Sequence, residues 1–495
     1  METTFLQEER EYREKGKGGR LYEVTAWSLL LARGLEAHWT GRIPGGDWAR
    51  WSEPAAAPVA QLDDAYLSVL IDGDTDSAPA ALADLLQRGV VVRVAEKPMS
   101  VGGRKFRRGA LLIRREGNID NLTSILNEIA TTHGVVLTPA TSSRTDNGGP
   151  DLGGRLVDPL VAPRVGVLTG APVSTTGYGS IWHLLDQDLN LRFSGLDISH
   201  FGRTDLARFN VLIFPAISGS PGVYRDLIGL GGMESLRNWV AAGGTAIGVG
   251  TGAKMLASLE SNLVATSFRG QAIDQYPSPV WSLTAAEVRD IAQLSSTGIL
   301  LDETGAEIAG KGRYDIAPIL GDGARPFAKG YDQGHPLTSK PVPLTSWLKP
   351  TPKTTTPEEL LLVHQGVDAR LRGFMPRGAL LRVDLHDESW LTFGLDETAT
   401  VMFRSDDCLI AEPPATTVAR FPAIDRMHLG GLLWPEAAAR MSGTAYAVRE
   451  AVGRGQVILF ASAPTFRRWM TESERMFVNA VLMGPGLGTR WTAAW

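Results

Sequence analysis

Apolar and polar positions follow two periods along the chain. Ala65–Ile71 (AYLSVLI), Val90–Ala95, Ala110–Arg114 and Val135–Thr138 are short apolar runs between turn residues, and each predicts a strand. Leu82, Leu85 and Leu86 share one face of a helix over Asp76–Arg88 that Gly89 stops. Leu122, Ile125, Leu126 and Ile129 recur at helical spacing in a second helix, with Asn118 as its expected cap and Gly134 as its end. The order β-α-β-β-α-β is that of a ferredoxin-like unit, over residues 61–150. Ser142–Gly154, which follows its last predicted strand, is polar and glycine-rich and reads as a linker.

A second α/β pattern begins after Pro163. Arg164–Thr169 (RVGVLT), Asn210–Pro215 (NVLIFP) and Thr245–Val249 read as buried strands. Between them lie a helix over Ser180–Asp188 and a helical stripe of Met233, Leu236, Trp239 and Val240 that ends at Gly243–Gly244. This alternation predicts a parallel, flavodoxin-like sheet with helices on both faces, over residues 160–487. It is lost between Glu260 and Arg377, a Pro- and Thr-bearing stretch that reads as an insertion, about residues 260–377. Strands resume at Leu380–Val383, Ala399–Phe403, Thr417–Phe421 and Val457–Ala461, a helix over Glu472–Met483 closes the domain, and residues 488–495 are a tail. Ahead of both units, residues 1–60 hold a charged helix over Thr3–Glu14, an apolar stretch Leu21–Trp39 that needs a partner surface, and a linker over Gly41–Val59.

Composition narrows the function. The 495 residues carry 49 Lys and Arg against 54 Asp and Glu, a net charge of −5, without the basic excess of a dedicated nucleic-acid binder. No run reaches the ~18 apolar residues of a membrane span. The first twenty or so residues have no apolar h-region, so the chain as written reads as one that stays in the cytoplasm. Cys408 is the one cysteine, which excludes an intramolecular disulfide and a cysteine-based zinc cage.

Few motifs carry chemistry. None of the eight histidines begins His-x-x-Glu or His-Glu-x-x-His, so no zinc-ligand pair is expected. His183-Leu-Leu-Asp186 reads as helix packing and His386-Asp387-Glu388 as a solvated turn. Asp72-Gly-Asp74-Thr-Asp76-Ser77 resembles half of a calcium loop, but Ser77 and Ala83 stand where Gly and Glu are needed; an acidic helix cap is the better reading. No serine has Gly two residues before it, which closes the serine-elbow route, and no Gly-Lys-Ser/Thr phosphate loop is present. Gly248-Val-Gly250-Thr-Gly252-Ala253 has the wrong spacing and position for a dinucleotide fingerprint.

That glycine segment, extended as Gly243-Gly244-Thr-Ala-Ile-Gly248-Val-Gly250-Thr-Gly252-Ala253-Lys-Met-Leu, resembles the GG-x-x-x-G-x-C-x-G elbow of class I glutamine amidotransferases. The resemblance puts the nucleophile position at Gly250, which has no side chain to attack with. Cys408 lies far along the chain, and the family's His-Pro-Glu is missing, since His335 is followed by Pro336-Leu337. The fold is implied and the activity is not. In sheets of this kind ligands sit beyond the carboxyl ends of the strands. That makes Gly248, Gly250, Thr251, Gly252, Ser218 and Ser220 the candidate ligand-binding residues, for a peptide, a sugar or an anionic group at the start of the helix that bears Lys254.

A wider resemblance joins these pieces. LYEVTAWSLLLARGLEA (Leu21–Ala37), RGVVVRVAEKPMSVGGRKFRRGALLIRREGN (Arg88–Asn118), PRVGVLTG (Pro163–Gly170), RFNVLIFPA (Arg208–Ala216) and GRGQVILFASAPTFRRW (Gly453–Trp469) resemble, in order, the region after the catalytic domain of large bacterial zinc carboxypeptidase-like metallopeptidases of the carboxypeptidase A type. Leu29-Leu30-Leu31 departs from the family's Leu-Pro-Leu. The resemblance implies a non-catalytic C-terminal portion of a protein that hydrolyses C-terminal peptide bonds, periplasmic or secreted, with zinc held in an upstream peptidase domain. Those zinc ligands lie upstream of VTAWSL in the family, where only about twenty residues stand here, so no catalytic or metal residue is carried over. A truncated gene start and a stand-alone binding module with a degenerate amidotransferase-like fold are the two readings that follow.

Overall fold

The computed structural model describes residues 61–146, 149–274, 371–411 and 413–489, with short pieces at 8–13, 15, 28–35, 41–42, 45–47, 52, 365–366 and 368–369. Most of the expected insertion, most of the linker before residue 60 and the tail from residue 490 lie outside the described residues.

The first unit is built on strands β1 (Ser68–Ile71), β2 (Val92–Ala95), β5 (Leu111–Arg114) and β6 (Leu137–Ala140), in the antiparallel order β6-β1-β5-β2. That is the ferredoxin-like arrangement expected from the pattern. Helices α1 (Ala78–Gln87) and α2 (Leu122–His133) cover the face that holds Val69, Ile71, Val92 and Ile113. The opposite face, with Leu70 and Leu112, is closed by a hairpin of β3 (Met99–Val101) and β4 (Arg104–Phe106), two short strands that the sequence pattern did not predict. Covering both faces explains why these strands read as unbroken apolar runs. A fifth strand, β7 (Val157–Pro159), pairs with β2 and carries the unit past the expected linker.

Two helix starts differ from expectation. Asn118 does not cap α2; its side chain bonds the backbone of Val91 and Arg114, tying the end of β5 to the start of β2. Asp76 does not cap α1, whose cap residue is Ser77 without a side-chain bond. The neighbouring Asp72 and Asp74 instead meet Arg104 and Arg107, which use up the acidity that suggested a calcium loop.

The second unit holds five parallel strands, β8 (Val165–Thr169), β9 (Phe193–Asp197), β10 (Val211–Phe214), β11 (Thr245–Val249) and β19 (Gly455–Phe460). Their order β9-β8-β10-β11-β19 is the flavodoxin-like 2-1-3-4-5. Helices α3 (Thr175–Trp182), α4 (Pro221–Ala241) and α5 (Thr251–Leu256) follow β8, β10 and β11. A π-helical turn over His183–Asp188 continues α3, so the expected helix there starts earlier and changes winding.

The sheet does not stay parallel. Beyond β19 it continues through β18 (Ala445–Val452), β16 (Thr416–Arg420), β13 (Ala379–Leu385) and β14 (Thr398–Phe403), each antiparallel to its neighbour. β14 therefore runs in the same direction as β19, and its carboxyl end lies on the same edge as those of β11 and β19. The root of the insertion is stitched in as well: β12 (Ser267–Phe268), leading into α6 (Arg269–Asp274), pairs with β15 (Leu409–Ile410), which pairs with β18. Two further elements complete this half: β17 (His428–Gly430) pairs with β13, and α7 (Pro435–Met441) precedes β18.

Helix α8 (Thr471–Met483) packs against β14 and against α1, so its buried residues join the cores of the two units. From the expected apolar stretch near the start, a short helix over Leu29–Ala32 is described; Ala32 is buried with Leu380, Met402 and Met470. Among the described residues no helix is long and apolar enough to cross a membrane.

Candidate functional site

The turn from β11 into α5 has the geometry of an elbow. Gly250 takes φ 55° and ψ −117°, a backbone conformation that side-chain-bearing residues rarely adopt. Its amide donates to Phe460 O at 2.9 Å, which fixes the turn to the end of β19. A Cβ at Gly250 would meet only Ala216 Cβ, at 3.4 Å, so there is room for a side chain. Gly252, two residues on, is different: a Cβ there would run into the carbonyl of Phe214, so α5 can approach β10 only with glycine at this position.

The six candidate residues therefore separate. Gly248 and Gly252 are buried packing positions, against Ala253 and Phe214. Thr251 Oγ1 accepts from Ile217 N at 2.6 Å and donates to Ile217 O at 3.3 Å, so this hydroxyl clamps the loop after β10 onto the elbow. Ser218 lies in that loop and donates its amide to Pro172 O at 2.9 Å, while Ser220 precedes α4; both are exposed. Gly250, Thr251, Ser218 and Ser220 thus share one rim at the carboxyl ends of β10 and β11. Helix α5 is six residues long.

A cleft of 340 Å³ opens beside this rim, between Pro221 and Gly222 of α4, Lys254 of α5, Phe268, Arg372 and Asp407. Lys254 forms an ion pair with Asp407, and its Nζ stands 5.9 Å from the centre of the Phe268 ring. Asp406 receives Arg372 Nε at 2.8 Å. Burial works against the ionisation of Asp406, but the hydrogen bond from Arg372 and the charge of Lys254 hold its carboxyl below the usual range. Burial pushes its neighbour Asp407 up, with Lys254 opposing and Asp406 adding. The pair thus shares its cations unequally.

Cys408 lies one residue further, fully buried, with Arg440 Nη1 3.5 Å from its sulfur. Burial pushes its thiol up, in spite of Arg440 and Arg269. A protonated thiol out of reach of solvent is not a nucleophile. The end of β19, bonded to the elbow through Phe460, leads into Ser462-Ala463-Pro464-Thr465, which contains no imidazole.

The other sequence candidates lie elsewhere. His183 meets Asp188, and His386 accepts from the amide of Glu388 in a turn. Among the described residues no group of three or more His, Cys, Asp or Glu side chains is placed to hold a metal ion. What sequence reasoning missed is the polar wall of Lys254, Arg372, Asp406, Asp407 and Arg440. Asp406 and Asp407 lie in the loop after β14. Their partners come from α5, from the return of the insertion and from α7, and no spacing in the sequence links those segments.

No family model matches this sequence, and no curated protein matches it. Solved structures that align include the exo-beta-1,4-mannosidase Op5Man5 from Opitutaceae bacterium strain TAV5, at 11% identity and TM-score 0.27, covering 65% of this chain and 36% of that one. The beta-galactosidase from Bacillus circulans sp. alkalophilus aligns at 12% identity and TM-score 0.27, over 66% of this chain and 31% of that one. Cytoplasmic Protein STM1381 from Salmonella typhimurium LT2 aligns at 11% identity and TM-score 0.28, over 64% of this chain and 98% of its own. The matched region spans about a third of each of the two glycosidases. Likeness at this level carries no argument about function.

Proposed function

We propose that this chain is the non-catalytic, ligand-binding portion of a zinc carboxypeptidase-like metallopeptidase, and that its amidotransferase-like unit holds a peptide or sugar at the carboxyl ends of its strands without cleaving it. The observation that carries this reading is the elbow at Gly250, which keeps its conformation but presents no attacking atom. Acyl transfer by this route requires a nucleophile on the turn and a base within hydrogen-bond reach. Cys408 supplies neither, being buried and protonated beside Arg440. Zinc belongs, in this reading, to the family's own catalytic domain, and no step is assigned to it here. The family assignment rests on the VTAWSL-led order of segments in the sequence.

Two assays on the purified chain test this. Incubated with glutamine, and with a peptide ending in a large apolar residue, it should release neither ammonia nor a free amino acid. Titrated with short peptides and with oligosaccharides, it should shift the amide resonances of Ser218, Ser220 and Thr251 with one of them. Ammonia release, or zinc bound one-to-one with peptide hydrolysis, would refute the non-catalytic reading; unmoved resonances with both ligand classes would refute the binding one.

A further inference from the structure

A second cleft, of 520 Å³, opens where β14 ends and β13 begins, and its lining includes Arg13, Arg372, Arg377 and Arg404, with Asp406 as the one acid among the described residues that line it. It lies on the carboxyl-end edge of the sheet, because β14 runs in the direction of β19 and Arg404 follows its last residue, Phe403. The backbone amide of Arg404 reaches Ser462 Oγ, just past β19, at 3.4 Å. Open α/β sheets bind ligands along this edge.

The charges are placed rather than scattered. Arg372, Arg377 and Arg404 are exposed. Asp406 is engaged by Arg372 at 2.7–2.8 Å. Arg377 meets no carboxylate among the described residues, and the guanidinium of Arg404 lies over the ring of Phe466, 5.0 Å from its centre, a cation–π contact at the cleft wall. Arg13 is buried and reaches Met375 O at 3.2 Å and Gly373 O at 3.4 Å, which fixes the loop that carries Arg372 and Arg377. Glu9 pairs with Arg13 at 2.8 Å, which leaves Arg377 and Arg404 as like charges held in one cleft at a cost in self-repulsion. An anion bound between them relieves that cost, and the planar guanidinium fork matches carboxylate and phosphate oxygens two at a time.

We infer that this cleft is a binding site for an oxyanionic ligand bearing two or more carboxylate or phosphate groups, gripped by Arg377 and Arg404 with Arg372 beside them. The inference stands apart from the reading of the elbow and does not depend on it.

Calorimetric titration with citrate and with pyrophosphate, at low and at raised salt, tests it and separates the two sources of charge. One or both should bind saturably and more weakly as salt rises. Arg377→Gln and Arg404→Gln should each weaken binding about tenfold, and together abolish it, with unchanged unfolding midpoints because both side chains are exposed. Arg404→Lys keeps the charge without the fork and should retain part of the affinity. Arg192→Gln, at the amino end of β9 on the opposite edge, should bind like the parent chain. Absence of saturable binding with both probes, equal affinity in the double variant, or equal weakening by Arg192→Gln would overturn the site.

Discussion

Lys254 and Asp407 form an ion pair that ties the elbow helix α5 to the loop beyond β14, with side chains 20% and 14% exposed. Lys254→Met should leave Asp407 buried without its main counter-ion, at a cost of about 3 kcal/mol near neutral pH. The folded-state pKa of Asp407 is raised, so its contribution is fully present below the unfolded value near ~3.9 and is lost as pH rises through the folded value. Removing Lys254 raises it further, so the penalty should shrink on acidification towards ~pH 4. Urea unfolding at the two pH values reads this directly. An equal penalty at both would show that Asp407 does not feel Lys254.

Two glycines of the elbow should both lose stability on substitution, but by different amounts. Gly250→Ser must hold φ near 55° but meets only Ala216, so a cost of about 1–2 kcal/mol from backbone strain is expected. Gly252→Ala drives a methyl group into the carbonyl of Phe214, and backbone must move; a loss above ~3 kcal/mol or an insoluble product is expected. Thermal unfolding of both variants decides it. Gly250→Cys should gain no glutaminase activity, since the loop after β19 offers no imidazole to activate the thiol.

The elements of both units were largely legible in the sequence where burial was complete. Val69, Val94, Leu212 and Ile247 lie in strands whose apolar runs stand out between turns. β9 escaped because it is the edge strand, Phe193–Asp197, partly exposed and mostly small or polar. β18 escaped because Arg449 and Glu450 interrupt it, although Glu450 is buried and accepts from Ala265 N and Thr266 N across the root of the insertion. β13, β14 and β16 read as strands, but of a parallel sheet, because an apolar run carries no sign of strand direction. The elbow was legible because three glycines at fixed spacing have backbone causes. The arginine cleft was not, because Arg372 and Arg404 become neighbours only when β13 and β14 pair.

Asp368 supports a separate prediction. Its carboxylate takes Arg440 in a two-pronged contact, Nε at 2.9 Å and Nη2 at 3.0 Å, and Arg269 Nε at 3.0 Å. Burial opposes its charge, but the two guanidinium groups outweigh burial and hold its pKa below the usual range. A depressed folded-state pKa gives stability that is present above the unfolded value, ~3.9, and is lost as pH falls through the folded one. Asp368→Asn should therefore cost about 3–5 kcal/mol at neutral pH, and the gap to the parent chain should close as pH drops below ~3.9. Denaturant midpoints measured from pH 7 down to pH 3 would follow it; a gap that stays constant would exclude ionisation of Asp368 as the cause.

Two arginines cross the junction of the two units. Arg108 of the first donates to Ser389 O at 2.9 Å and to Thr392 Oγ1 at 2.6 Å, and lies 5.4 Å from the centre of the Phe393 ring. Arg475 of α8 reaches back to Thr75 O at 3.3 Å and to Gly73 O, so deeply that burial pushes its pKa down to about 10. Both are charge-assisted bonds to groups of the opposite unit, worth about 1.5–3 kcal/mol each. They act together with the apolar packing of α8 on α1, so the two units should melt as one. Replacing both, Arg108→Ala with Arg475→Ala, should weaken that coupling and split a single calorimetric transition into two, the smaller first unit melting earlier. A single transition shifted to lower temperature would instead mean that the shared core around α8 couples the units without these arginines.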